Sequence, residues 1–221
     1  MRPLGRICLV AAGLLLTAGC ERACGSKPAA PDASIPTVKG PDGAEYVLLA
    51  RGAYKPVYDA QGKLDRVEYD RNGDGKADQI ARHNGKRLPE RLEDDDDFDG
   101  RTDRWAYYDA DGVLVKIGSS RRGGAQPDFW IYQTRDGKIT RQEYDSNGDG
   151  KLDRVEIMKD GRVDMVEVDA NDDGRPDRWQ KWQGSELIFE NLDTDGDGKP
   201  DKRLRYGPKG EVIGLEPIAD E

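Results

Sequence analysis

The chemistry-bearing residues of this chain sit in a nonapeptide that occurs five times: Asp70-Arg71-Asn72-Gly73-Asp74-Gly75-Lys76-Ala77-Asp78 returns at 95–103, 145–153, 169–177 and 193–201. Oxygen-bearing side chains stand at positions 1, 3, 5 and 9 of every copy. They are Asp70, Asn72, Asp74 and Asp78; Asp95, Asp97, Asp99 and Asp103; Asp145, Asn147, Asp149 and Asp153; Asp169, Asn171, Asp173 and Asp177; and Asp193, Asp195, Asp197 and Asp201. Position 6 is glycine throughout, and position 7 (Lys76, Arg101, Lys151, Arg175, Lys199) offers its main-chain carbonyl. That combination suits a hard divalent cation. Calcium takes roughly six to eight oxygens at about 2.3–2.6 Å, and a chain wrapped around it turns alternate side chains inward, adds the position-7 carbonyl and needs Gly at position 6 for the sharp turn. Magnesium, which holds its waters, fits less well, and zinc less again, because His83 is the single histidine and no Cys-His cluster exists.

Asp, Asn and Gly are also ordinary turn formers, so one such loop would need no ion. Five copies with the same positions kept point to calcium. Seventeen of these side chains are Asp, and carboxylates clustered so closely repel one another unless cations stand between them.

The pattern Asp-x-Asp/Asn-x-Asp-Gly-x-x-Asp resembles the calcium loop of EF-hands and, more closely, its helix-free relatives in dockerins, thrombospondin type 3 repeats and integrin-type propeller loops. The resemblance covers nine residues per unit and not the segments between. It implies about five calcium sites. Position 12, where a bidentate Glu closes the helical version, holds Ala81, Ala106, Glu156, Gln180 and Leu204, so one loop alone could use that ligand. The departure suits the helix-free form and implies weak sites, with dissociation constants of roughly 10⁻⁴ to 10⁻³ M.

The loops punctuate a repeat of 24 to 25 residues, with a sixth, degraded unit at 120–128 that keeps the final Asp128 and the Pro127 before it. Residues two and four past each final Asp form columns: Ile80, Trp105, Trp130, Val155, Trp179 and Arg203, then Arg82, Tyr107, Tyr132, Ile157, Lys181 and Arg205. A spacing of two is that of a β-strand. Asp111-Gly112, Asp136-Gly137 and Asp160-Gly161 then signal tight hairpin turns. In the returning strand Leu64, Leu114, Ile139, Val163 and Leu187 form one column, and Val67, Leu92, Ile117 and Val166 another three residues on. That odd step places the two on opposite faces unless a bulge intervenes. The expected fold is all-β: tandem 24–25-residue β-hairpin repeats joined by acidic loops, as an elongated array or a closed barrel or propeller-like ring. Trp105, Trp130 and Trp179, with Tyr107 and Tyr132, read as the buried face. Trp182, off the column, is the candidate exposed aromatic, His83 a solvated residue near the turn Asn84-Gly85, and Arg121-Arg122 a basic substitute for a lost ion.

The N-terminus has the layout of a cleaved export signal: Arg2 and Arg6, apolar residues from Ile7 to Leu16, then small residues. It resembles a bacterial lipoprotein, with Ala18-Gly19-Cys20 matching the lipobox core, which implies diacylation of Cys20 and cleavage before it. Cys8 would leave with the signal and Cys24 would have no intramolecular partner, so no disulfide framework is expected. The organisation read from the chain is a signal peptide at 1–19, lipidated Cys20 and a Pro/Ala/Ser/Gly-rich tether to 44, the repeat domain at 45–217 and a tail at 218–221. The location implied is the cell envelope, anchored to the outer membrane on its periplasmic or surface side.

Composition bounds the function. Charged residues make up 36% of 221, while Leu, Ile, Val and Phe total 41, a level at which a chain needs more than a core to stay folded. The net charge of −9, or −11 after loss of residues 1–19, argues against nucleic acid as partner. One histidine, a tether cysteine and the lack of a nucleophile elbow or phosphate-cradling loop leave no catalytic triad or nucleotide site to assemble, so no enzyme is expected. The expected role is structural or adhesive, towards an envelope protein or glycan. The other reading is a glycan- or peptidoglycan-binding module with exposed aromatics on a calcium-stabilised scaffold.

Overall fold

The computed structural model describes residues 36–48 and 53–218; the export signal, Cys20, Cys24 and the last three residues of the tail lie outside the described residues. No helix occurs among them. A short hairpin of β1 (Thr37–Lys39) and β2 (Glu45–Val47) precedes one antiparallel sheet of 14 strands that runs in strict sequence order. Its first half comprises β3 (Lys55–Tyr58), β4 (Leu64–Tyr69), β5 (Gln79–Arg82), β6 (Arg91–Asp94), β7 (Arg104–Tyr108), β8 (Leu114–Ser119) and β9 (Phe129–Gln133). The second comprises β10 (Ile139–Tyr144), β11 (Arg154–Lys159), β12 (Arg162–Val168), β13 (Arg178–Gln183), β14 (Glu186–Leu192), β15 (Lys202–Tyr206) and β16 (Val212–Pro217). β3 and β16 are free edges, so the sheet is an open array and not a closed ring. Strand β1 lies inside the stretch to 44 read as tether, so strand structure is present there from Thr37.

The odd step between the two apolar columns is resolved by bulges. In six of the seven hairpins one extra residue is inserted just past the turn: Asp65, Val115, Thr140, Asp164, Ile188 and Ile213. An extra residue restores the alternation, so Leu64 and Val67 face the same side and both are sealed from solvent. The difference between 24- and 25-residue units is absorbed at the turns. Asp160-Gly161 is a two-residue turn with both φ positive, 52° and 75°. At Asp109 the turn is wider: the Asp109 carboxylate accepts the N–H groups of Asp111 and Val113 at 2.9 and 3.0 Å, and Gly112 alone takes a positive φ.

Register then carries straight rows across the strands. On one side Val67, Ala81, Leu92, Ala106, Ile117 and Ile131 stand opposite one another from β4 to β9. The same row continues as Gln142, Glu156, Val166, Gln180, Glu190 and Leu204 from β10 to β15. The β1–β2 hairpin covers only the start of this side, where Tyr46 and Leu48 join Leu64, Val67, Tyr69, Ala81, Leu92 and Ala106 in a core. Every buried apolar residue among those described, Val166 excepted, lies between Tyr46 and Ala106.

Three expectations are corrected here. The aromatic column is not the sealed side: Trp105, Trp130 and Trp179, with Tyr107 and Tyr132, stand on the opposite face and are half-buried, while Ala81 and Ala106, between the columns, point into the core. Trp182 is half-buried too, with its indole N–H donating to Gln180 at 3.3 Å. His83 is not solvated but fully buried, its Nδ1 3.1 Å from the Lys86 carbonyl and its ring edge-on to Tyr46, 6.0 Å between centroids. The hairpin lies over it, and burial holds its pKa below the usual histidine value against the pull of the Lys86 and Arg87 backbones.

Candidate metal centre

Each acidic loop connects the end of one hairpin to the start of the next, so all of them fall along one line at the strand ends, with the hairpin turns along the other. The loops are tied in series. The N–H of Asp95 donates to the Asp78 carbonyl, and Ser120, Asp145, Asp169 and Asp193 donate likewise to Asp103, Asp128, Asp153 and Asp177, all at 2.8–2.9 Å. Each loop is closed by the N–H of its ninth residue, which reaches back to the residue before the loop, as Asp78 does to the Tyr69 carbonyl at 2.9 Å.

Inside the loops the carboxylates satisfy backbone donors that the tight turn would otherwise strand. At position 1, Asp70 Oδ1 and Oδ2 accept from Gly73 and Gly75 at 2.6 and 2.9 Å, and Asp145 and Asp193 repeat the arrangement on Gly148 with Gly150 and Gly196 with Gly198. At position 3, Asn72, Asp97, Asn147, Asn171 and Asp195 each accept from the N–H of position 5. At position 5, Asp74, Asp99, Asp149, Asp173 and Asp197 accept from the N–H of position 7 at 2.8–2.9 Å. Burial pushes the Asp145 and Asp193 carboxyls up, but the glycine N–H groups outweigh it and both lie below the usual carboxylate range. Both are therefore anionic at neutral pH.

A carboxylate with about four lone-pair sites can accept an N–H and still ligate. Two loops bring positions 1, 3 and 5 together as carboxylates: Asp95, Asp97 and Asp99, and Asp193, Asp195 and Asp197, each set with one oxygen per residue within 4.8 Å of the others. The remaining three loops have Asn at position 3 and offer an amide oxygen there. Asp95 differs in one respect. Its Oδ2 accepts from Gly100 at 2.8 Å, yet its Oδ1 is buried and has no hydrogen-bond partner; position 4 of this loop is Phe98, at φ 65°. A buried anionic oxygen beside two other carboxylates is a donor set that fits a hard cation.

The ninth-position carboxylates stand outside these converging sets. Asp78, Asp103, Asp153, Asp177 and Asp201 turn an oxygen to the N–H of position 2, and the first four also to that of position 3. Asp128 of the degraded loop does the same for Arg121, so the ninth position shapes the loop even where positions 1, 3 and 5 are lost. Arg122 reaches from that loop into the next, donating to the Asp145 and Ser146 carbonyls at 3.1 and 3.0 Å and lying 3.5 Å from Asp145 Oδ1. Position 4 does not by itself mark the exception at 95–103 in the sequence: the loop at 169–177 has Asp172 there in place of glycine, yet both oxygens of its first residue, Asp169, accept hydrogen bonds, from Asp173 at 3.2 Å and Gly174 at 2.8 Å.

The class defined by this geometry is an all-β hairpin-repeat sheet edged by acidic loops. No protein-family model matches the chain, and no curated protein is similar to it in sequence. Among solved structures there is a slight similarity to accessory secretory proteins 1, 2 and 3 of Streptococcus pneumoniae, with 9% identity and a TM-score of 0.25 over 63% of this chain. The chain spans 19% of that structure's length.

Proposed function

We propose that the protein is a lipid-anchored cell-envelope protein, held through Cys20, whose repeat sheet binds calcium in its acidic loops and plays a structural or interaction role. The observation that carries the calcium reading is the loop at 95–103, where one oxygen each of Asp95, Asp97 and Asp99 converges and Asp95 also keeps a buried Oδ1 that no protein donor satisfies. Recurrence of the same positions in four further loops supports extending it along the row, and the meagre core supports a structural part for the ion. When bound, calcium would supply positive charge among acids that otherwise repel. Asp95, Asp97 and Asp99 would hold it in that loop, and the backbone donors of Gly100 and Arg101 orient the carboxylates towards it.

Calorimetric titration of the purified protein with calcium, paired with thermal melts with and without EDTA, tests this. The expected result is a stoichiometry near five, with 120–128 silent, and a melting temperature that falls on chelation; an unchanged melt removes the calcium reading. The anchor is tested separately by Cys20→Ala, which should move the protein from the membrane fraction to the soluble one.

A further inference from the structure

The side of the sheet away from the hairpin carries, across β5 to β10, two rows that combine rings and charge. Arg82, Arg91, Lys116 and Arg141 stand there against Glu93 and Glu143, with Trp105, Tyr107, Trp130 and Tyr132 between them. Depth sorts the charges. The Glu93 and Glu143 side chains are each 10% exposed, whereas those of Arg82, Arg91 and Arg141 are 31%, 35% and 45% exposed. A solute approaching this side meets cations, although the chain as a whole has a net charge of −9.

The positive charge is also incompletely neutralised. Arg82 and Arg91 share the single carboxylate of Glu93, at 2.7 and 2.5 Å, and the nearby Glu90 is already held by Lys86 and Asn84, which leaves one charge over. Lys116 has rings rather than a carboxylate around its ammonium among the described residues: the centroids of Trp130, Tyr132 and Tyr107 lie 3.7, 4.7 and 5.7 Å away. Trp130 is seated directly on β8, where a Cβ at Gly118 would come within 2.6 Å of its ring. The strongly exposed apolar side chains among the described residues, Phe98, Leu152, Val212, Ile213 and Leu215 with Tyr54, all lie elsewhere, so this face has nothing to bury in a bilayer.

We propose that this face binds an anionic glycan, a chain of uronate or sulfated sugars laid across the strands. The acid groups meet Lys116 and the Arg82–Arg91 pair while sugar rings lie against Trp130 and its neighbours. Strands about 4.8 Å apart offer roughly one hexose of an extended chain per strand. The face lies on the strands rather than in the loops, although its row of Glu93, Trp105, Trp130 and Glu143 begins two residues from them, and it needs no ion from them. This gives a ligand class to the interaction role proposed above and rests on that reading only in taking the protein to work in the envelope.

The test is calorimetric titration of the purified, calcium-loaded protein with hyaluronan oligosaccharides, with dextran as a neutral glycan, phosphatidylglycerol vesicles as an anionic membrane, and circular dichroism to confirm folding. Hyaluronan is expected to bind, more weakly as salt is raised, and to change tryptophan fluorescence, while dextran and vesicles do not bind. Lys116→Glu should lower affinity about tenfold or more, whereas Lys138→Glu, an equal charge change at a hairpin turn, should leave it unchanged; Arg82→Gln is the second variant should Lys116→Glu fail to fold. Absence of hyaluronan binding, binding that survives the Lys116 and Arg82 substitutions, or binding to vesicles alone overturns the proposal. Because every arm uses folded, calcium-loaded protein, such a failure leaves the calcium reading standing, and an EDTA-insensitive melt would leave the glycan result standing.

Discussion

Leu64 and Leu187 occupy the same place in their hairpins, yet Leu64 is sealed and Leu187 is half open to water. The difference comes from what lies above them. The β1–β2 hairpin covers the start of the sheet and gives β4 to β7 a conventional core, while from β10 onward the matching row is Gln142, Glu156, Gln180 and Glu190, with Val166 its one buried apolar member. The later strands are held by other means. Tyr144 and Tyr206 donate to Glu156 and Glu190 at 3.1 and 3.0 Å, Gln180 donates to Glu190 at 3.0 Å, and Arg203 lies 4.4 Å from the Phe189 ring centroid. Such contacts each contribute about 0.2–1 kcal/mol in exposed settings. One repeat can thus be stabilised by burial at one end of an array and by ladders of polar contacts at the other.

The largest effect expected concerns the ions. At a hundredfold excess over its dissociation constant, an ion bound only by the folded chain contributes about 2.7 kcal/mol per site, and three of the five loops join strands of the sparsely buried half. Chelation should therefore strip hydrogen-exchange protection from β10–β16 before β4–β7; simultaneous loss across the sheet would break the contrast. Next, Leu64→Ala should cost about 3 kcal/mol in urea denaturation as a fully buried large-to-small change, and Leu187→Ala less than about 1.5 kcal/mol because water already reaches it. Equal costs would mean the hairpin cover matters little.

Gly118→Ala, at the junction of the two halves, should cost about 1–3 kcal/mol by forcing the Trp130 ring off β8, with a shift in tryptophan emission as the readout. The smallest effect is one of pH. His83 is held neutral by burial, so its contribution is present above the ordinary histidine value and is lost as pH falls below about 6.5, at up to about 1.4 kcal/mol per pH unit until the folded protein also takes up the proton. Exchange under the hairpin should rise with acidification, His83→Gln should flatten the dependence, and the second half, which has no histidine, should not follow it.

Strands, turns and loop positions were legible because each rests on local chemistry: alternation, Asp-Gly dipeptides and the spacing of oxygens around a glycine. What was not legible depended on contacts between segments. Periodicity shows that Trp105 and Trp130 share a face but not which face the hairpin covers, and the hairpin itself was hidden because Pro36, Gly40, Pro41 and Gly43 make its first strand, around Val38, look like tether. His83 followed the same logic, since a residue beside a turn is buried only when another segment lies over it. The inserted residue that brings Leu64 and Val67 to one side leaves no compositional mark, being Asp in one hairpin, Thr in another and Ile in a third. In the loops, pattern identified the oxygens but not their division of labour, in which the ninth carboxylate folds the loop and the first, third and fifth converge.

The constancy of register across all fourteen strands makes length a variable that the molecule can change in whole steps. Excising one loop with its following hairpin, such as 145–168, would bring together two strands that already expect the same partner, and would shorten the sheet by two interstrand spacings, about 10 Å. Removing a single residue from a strand would instead invert everything beyond it. A chain built this way behaves as a ruler with interchangeable segments, one graduation for every two strands.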